Sequence, residues 1–238
     1  MPRRPLPDAE LAATMMRRGW LSLIPPDVTR RVLRASVQRI VASGNSLYEA
    51  GDEPGAVYGL VQGVLAISVT PGNHGPFHAH FVRPGDWVGA ASEVTNATRI
   101  VSVVAVRRSL ILVLPRRAIE SLAAETPEFW RYLAVIVVEN LNTAMAAWAD
   151  LLIVDSHQRL STVILRMAGY EPGDPVDREY EIQLSQSQIA EISRLSRNSA
   201  NLVLRDFEEA GLLVRRYGIV RLTDIEGLRR VAGVLPRG

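Results

Sequence analysis

The sequence predicts an α+β chain: an N-terminal β-barrel or jelly roll, one long helix, and a C-terminal helix-turn-helix closed by a small hairpin. Three observations carry this. Between Val37 and Leu114, short β-branched runs alternate with Gly, Pro, Asn and Asp, the texture of many short strands joined by turns. From Glu128 to Val154 no glycine or proline interrupts. Finally, Leu184–Leu213 carries the caps and apolar spacing of two helices about a tight turn.

Composition bounds the rest. At 238 residues the chain is one large domain or two modest ones, and 47% apolar residues suffice for a core. The absence of cysteine excludes disulfides, thiolate zinc and iron–sulfur sites and a cysteine nucleophile, and fits a cytoplasmic protein. No run of about 18 uncharged apolar residues occurs, so no membrane span is expected. Met1–Pro7 is basic without the apolar stretch of a signal peptide. All 27 basic residues are arginine. Every positive charge is therefore a planar fork suited to phosphate and guanine. The net charge of +2 is too small to diagnose nucleic-acid binding by itself.

Residues 8–35 read as short helices broken at Pro25–Pro26, with Pro26 suited to a helix start. Strands are expected at Ala56–Leu60, Val64–Val69, Phe77–Val82, Arg99–Val106 and Leu110–Leu114. Turns fall at Gly51-Asp52, Gly63, Pro71-Gly72-Asn73 and Pro84-Gly85-Asp86. A short helix covers Pro115 to about Ala124. Thr126-Pro127-Glu128 then offers an N-cap, a first-turn proline and an early acid. The helix so begun runs about 28 residues, roughly 42 Å at helical rise. Leu133, Ile136, Val137, Leu141, Met145, Trp148, Leu151 and Leu152 form a broad apolar stripe along it. A small barrel cannot bury so long a stripe. A second copy of the chain is the better use, with Leu133, Val137, Leu141, Met145 and Trp148 at the dimer interface; the alternative is packing on the barrel alone. Asp155-Ser156 reads as a cap and hinge, Gln158–Gly169 as a helix, and Gly173-Asp174-Pro175 as the start of a polar loop. The expected divisions are 1–124, 125–155 and 156–238.

The strongest signal lies in Leu184–Leu213. Ser185 caps a helix, with Gln188 as capping-box partner. Ile189, Ala190 and Ile192 give it an inner face, and small Ala190 permits close approach of a second helix. Leu195 fills the turn, and Ser196 caps the second helix, whose buried side is Ala200, Val203, Leu204 and Phe207. Gly211 supplies the left-handed stop, and a hairpin turns about Tyr217-Gly218. Arg197, Asn198 and Asn201 then lie on the first exposed turns, the part that enters a major groove. Arginine pairs bidentately with guanine, and asparagine with adenine. Ser185, Gln186, Ser196 and Arg205 complete the candidate DNA-binding set. Charge from Arg194 to Arg221 is only mildly basic, so the placement of Arg197 carries the reading. An ordinary helical hairpin with a solvated polar face is the alternative.

The order of these parts resembles the Crp/Fnr family of bacterial transcription regulators from about residue 20 to 230. Tyr48-Glu-Ala-Gly-Asp52 with Tyr58-Gly-Leu-Val-Gln-Gly-Val64 is similar to early turns of a cyclic-nucleotide-binding barrel. Pro84-Gly-Asp-Trp-Val-Gly89 resembles the entry to its phosphate cassette, and Arg99, Val103 and Ala105 the strand that ends it. Leu184–Leu213 resembles the family's DNA-reading unit. The resemblance implies a cyclic-nucleotide-binding-like domain, a dimerisation helix and a winged helix-turn-helix. It further implies a homodimer on double-stranded DNA, RNA polymerase as a further partner, and an effector that repositions the reading helices about a hinge near Asp155.

Departures from the family pattern touch the effector pocket of Gly89, Ala90, Glu93, Arg99, Ile100, Ala144 and Met145. In cyclic-nucleotide binders a glutamate after the cassette glycine bonds the ribose; here Ala90 stands there. A phosphate-donating hydroxyl is replaced by Ile100, and base-facing hydroxyls by Ala144 and Met145. Arg99 remains able to meet a phosphate or to form a structural ion pair, and Glu93 lies one helical turn from Ala90 as a substitute. Each lost bond to a buried polar ligand group costs about 1–3 kcal/mol. Cyclic AMP is therefore not expected as the effector, and no cofactor is.

His78 and His80 fall on one face of a strand near His74, a candidate metal or haem pair without a fixed third ligand; a solvated strand is the alternative. No metal site is expected. His157 reads as a surface or capping residue. No catalytic constellation appears, so the chain is not read as an enzyme. The rivals to a DNA-binding regulator with a degenerate pocket are one whose barrel still holds a nucleotide or other anion through Arg99, and a protein-interaction module. No membrane partner is expected.

Overall fold

The computed structural model describes residues 8–72, 74–171, 173–175 and 178–233. The basic lead Met1–Pro7 and Asn73 of the predicted turn lie outside them. The chain forms two compact units, Met1–Ala144 and Met145–Gly238. The division between them falls inside the long helix.

In the first unit, α1 (Asp8–Met16), a 3-10 turn at Trp20–Ser22 and α2 (Pro26–Ala35) precede the barrel. Pro26 opens α2 as expected, and Asp27 sits in its first turn, where the helix dipole favours an acid. Eight strands follow: β1 (Val37–Val41), β2 (Ser46–Tyr48), β3 (Ala56–Gln62), β4 (Leu65–Val69), β5 (Phe77–Val82), β6 (Trp87–Val88), β7 (Ser102–Ala105) and β8 (Ser109–Pro115). They form two four-stranded antiparallel sheets, ordered β1-β8-β3-β6 and β2-β7-β4-β5.

Strand β3 shows why the barrel and its helices cohere. Ala56, Tyr58 and Leu60 face inward with Leu65, Val103 and Ile111, while Val57 and Val61 face the helices. Both sides of the strand are buried, so its sequence is a continuous apolar run and not an alternation. Gly59 lies between Val57 and Val61, and a side chain there would collide with Trp87, at 2.5 Å from the indole. That indole packs edge-on against Trp20, with ring centroids 5.1 Å apart.

The helix α4 (Arg116–Glu125) ends at Thr126, whose N–H donates to the Leu122 carbonyl. Thr126 therefore closes one helix and does not cap the next. The long helix α5 covers Phe129–Leu151, 23 residues and shorter than predicted, because Pro127 and Glu128 turn the chain between helices. Phe129, Leu133 and Ile136 pack into the core beneath Trp20 and Leu114. Leu133, expected at a dimer seam, is thus an internal residue of the barrel unit. Farther along, Leu141, Met145 and Trp148 are exposed, each by more than half. By length and composition alone α5 could cross a membrane, contrary to expectation, although its first turns are committed to the protein core.

The second unit joins the end of α5 to α6 (Ser156–Ala168), β9 (Tyr180–Ile182), α7 (Gln186–Ile192), α8 (Arg197–Glu209), β10 (Leu213–Arg216), β11 (Ile219–Leu222) and α9 (Ile225–Ala232). The Asp155 carboxylate caps α6 by accepting from the Gln158 N–H at 2.8 Å. Gly169 ends it in the left-handed conformation. The expected loop before α7 contains the strand β9, which adds to the hairpin to give a three-stranded wing ordered β10-β11-β9.

Candidate DNA-reading site and barrel cassette

The candidate DNA-reading site is built on α7 and α8. Ser185 accepts from the Gln188 N–H, and Gln188 returns the bond to the Ser185 N–H at 2.8 Å, so the capping box is complete. Ile189, Ala190 and Ile192 are buried. The turn passes through Arg194, which adopts a left-handed φ of 52°, and Leu195, which is half-buried. Ser196 caps α8 by accepting from the Ser199 N–H at 3.0 Å. Ala200, Val203, Leu204 and Phe207 form the inner side, and Gly211 ends the helix with φ 73°.

This arrangement presents Gln186, Arg197, Asn198, Asn201 and Arg205 to solvent, with Ser185 half-buried and Ser196 exposed. Arg205 leans on Glu209 at 3.6 Å, an exposed i,i+4 pair. Arg197 has no carboxylate within salt-bridge distance among the described residues. Sequence reasoning missed Leu202, 49% exposed on the same helix. Its position off the arc of Ala200, Val203, Leu204 and Phe207 was the available signal.

Three contacts brace this unit. Arg215 on β10 donates through its backbone N–H and its Nε, both at 2.8 Å, to the Glu208 carboxylate at the end of α8. These bonds hold the Glu208 carboxyl below the usual carboxylate range. His157 meets Asp206 of α8 at 3.0 Å and packs edge-on against Phe207, so it is more than a surface or capping residue. Arg166 donates to Asp150 at 2.7 Å, tying the last turn of α5 to α6. Burial pushes the Asp150 carboxyl upward, with Arg166 opposing. The connector expected to act as a hinge at Asp155 is therefore bridged by an ion pair.

In the barrel, Arg99 lies in the loop before β7, not on the strand. Its N–H donates to the Asp52 carbonyl, and its carbonyl accepts from Gly51, both at 2.8 Å. The side chain turns inward to the short helix α3 (Ala90–Thr95), which follows Gly89 in left-handed conformation. Arg99 Nη2 donates to Glu93 Oε1 at 2.9 Å and to the Ala56 carbonyl at 2.7 Å, and Nη1 donates to the Gly89 carbonyl. Gly55 N–H donates to the same Glu93 oxygen at 2.7 Å. The Arg99 and Glu93 side chains are 3% and 1% exposed. The guanidinium also lies over the Tyr48 ring, 4.5 Å from its centroid. Burial raises the Tyr48 hydroxyl pKa, with Arg99 opposing.

Of the two roles open to Arg99, the structure therefore displays the ion pair. Glu93 is turned to Arg99 and Gly55. Ala90 is buried, and Ile100 is 82% exposed. Ala144 and Met145 are exposed on α5. His78 bonds Ser68 at 3.0 Å, His80 is buried, and His74 is exposed. No group of His, Asp or Glu suited to a metal occurs among the described residues.

A jelly-roll barrel followed by a long helix and a winged helix-turn-helix defines a two-part regulatory protein that reads DNA. Residues 38–126 match the cyclic nucleotide-binding domain model, and residues 158–231 the Crp-like helix-turn-helix domain model. The chain is 23% identical over 194 residues to the transcriptional regulatory protein btr of Bordetella pertussis, covering 81% of this chain and 80% of the relative. It is 23% identical over 192 residues to a CRP-like cAMP-activated global transcriptional regulator of Mycobacterium tuberculosis, covering 79% and 85%. A crystal structure of a putative cyclic nucleotide binding protein from Ruegeria pomeroyi superposes with TM-score 0.70 at 18% identity, covering 97% of this chain and 100% of that one. At that identity the likeness establishes the fold alone. The chain belongs to the Crp/Fnr family of transcription regulators, which are not enzymes.

Proposed function

We propose that the protein acts in the cytoplasm as a homodimer on near-palindromic duplex DNA, with RNA polymerase as its partner at promoters and without response to cyclic AMP. The observation that carries the DNA reading is the outward first turn of α8, where Arg197 and Asn198 stand exposed beside the Ser196 cap. Two such helices related by a two-fold axis read half-sites about one helical turn, roughly 34–36 Å, apart. We assign the exposed Leu141, Met145 and Trp148 to a second copy of α5 and not to lipid, because the same helix is anchored in the barrel core by Leu133 and Ile136.

Silence toward cyclic AMP rests on the Arg99–Glu93 pair. A cyclic phosphate reaching Arg99 must displace a buried carboxylate already paired with its Nη2. One charge-assisted bond contributes about 1.5–3 kcal/mol, less than the roughly 4 kcal/mol of a millimolar complex. Selection of bound sequences from random DNA, with and without metabolites, tests the proposal. Enrichment of a two-fold symmetric site, unchanged by millimolar cyclic AMP, is expected. Micromolar cyclic AMP binding by calorimetry overturns the closed-pocket reading, and no enriched sequence overturns the DNA reading.

A further inference from the structure

The exposed face of α8 is polar except at one position. Ala200, Val203, Leu204 and Phe207 are each at most 3% exposed and define the side facing the unit's core. With 3.6 residues per turn, the opposite face is the row Asn198, Leu202, Arg205 and Glu209. Leu202 is near the middle of that row and 49% exposed. It lies one turn beyond Asn198 and one turn before Arg205, on the same exposed strip of α8. A lone exposed leucine is unremarkable on an ordinary helix. Here its neighbours along the strip, Asn198 and Arg205, belong to the candidate DNA-binding set and are themselves exposed.

We propose that Leu202 is a specificity-determining residue that reads a thymine methyl group in each half-site. The inference rests on the DNA-binding reading above and adds to it the chemistry of one base pair. A leucine has no donor or acceptor for a base edge. The C5-methyl of thymine is the apolar group that the four base pairs offer in the major groove. Opposite cytosine or guanine, the same side chain desolvates an amino or carbonyl group without bonding it. Leu202 therefore favours thymine both by contact and by exclusion. The preferred step adjoins the base read by Asn198, because the two residues are four positions apart, about 6 Å along the helix axis.

The test replaces each thymine of a selected duplex in turn by deoxyuridine, which removes the methyl and nothing else. Binding is measured with the full-length protein. The wild type should lose about three- to fivefold in affinity at one thymine per half-site, the scale of one buried methyl. Leu202→Ala should bind more weakly and show no difference between thymine and deoxyuridine at that position. Arg197→Ala should retain the thymine dependence while relaxing choice at guanine. Full wild-type affinity at every deoxyuridine, or an equal deoxyuridine penalty in Leu202→Ala, overturns the role of Leu202 while leaving DNA binding intact. Failure to select any duplex removes the DNA reading and this inference with it.

Discussion

Arg99 and Arg197 carry the same guanidinium into opposite surroundings. Arg99 is enclosed by Glu93, two backbone carbonyls and the face of Tyr48. Arg197 stands on the first turn of a capped helix, exposed and without a carboxylate partner among the described residues. In a low-dielectric interior an unpaired charge is intolerable, so a buried arginine must be answered by the protein itself. At the surface water answers it, and the side chain stays free to exchange water for a phosphate or a base. The barrel has thus turned its polar cassette inward, while the winged helix keeps its polar groups outward.

This comparison breaks most directly at Arg99. Arg99→Ala leaves the Glu93 carboxylate buried and unpaired, and should destabilise the protein by about 3–5 kcal/mol in urea unfolding without any ligand present. The double variant Glu93→Gln with Arg99→Met should recover most of that loss, because replacing both members of a buried pair is often neutral. If Arg99→Ala unfolds like the wild type, Arg99 is held in reserve for a ligand and the contrast with Arg197 fails.

A parallel contrast runs along α5, where Leu133 is internal and Trp148 is 58% exposed. Trp148→Glu should weaken the dimer by about 2 kcal/mol or more, as a central apolar anchor does, while the monomer keeps its fold. Sedimentation at several concentrations measures it, and a dimer that survives with unchanged affinity removes this surface from the seam. Leu133→Ala should act otherwise, lowering stability by about 2–5 kcal/mol through a cavity.

On the other arm, Arg197→Ala should cost about 1–3 kcal/mol of DNA affinity and relax choice at one guanine per half-site. Its unfolding should stay within about 0.5 kcal/mol of the wild type, since its side chain makes no ion pair among the described residues. Selected sequences that do not change on this substitution would misplace the recognition helix.

What was legible in the sequence follows the range of the forces involved. Ser185 with Gln188, Ser196, Asp155 and Gly211 act on groups within a few residues, and each was placed correctly from spacing alone. Thr126-Pro127-Glu128 was misread because a turn between helices uses the same residues as a helix start. The three residues of β9 are too few to show a period. Leu133 and Leu141 look alike within one stripe, and only the reach of the barrel core separates them. The closure of the cassette depends on Gly55, Ala56 and Tyr48, up to some fifty positions from Arg99 in the chain, and no local pattern announces it. Local chemistry could identify Arg99 and Glu93 as candidates, but their choice of each other belongs to the fold.

The smallest effect concerns how the wing is held to α8. Glu208 accepts from the backbone and side chain of Arg215, and those bonds lower its pKa. A carboxylate whose folded pKa lies below its unfolded value, about 4.3, contributes stability above that value and loses it as pH falls toward the folded one. Glu208→Gln keeps the shape but not the charge, and partial exposure discounts the loss at neutral pH to about 1 kcal/mol. Below the carboxylate range the variant and the wild type should converge, because the wild-type group is then protonated as well. DNA affinity at neutral pH should fall too, since the wing loses its fixed position beside the recognition helix. A stability difference that persists undiminished at low pH would show that Glu208 acts through packing and not through its charge.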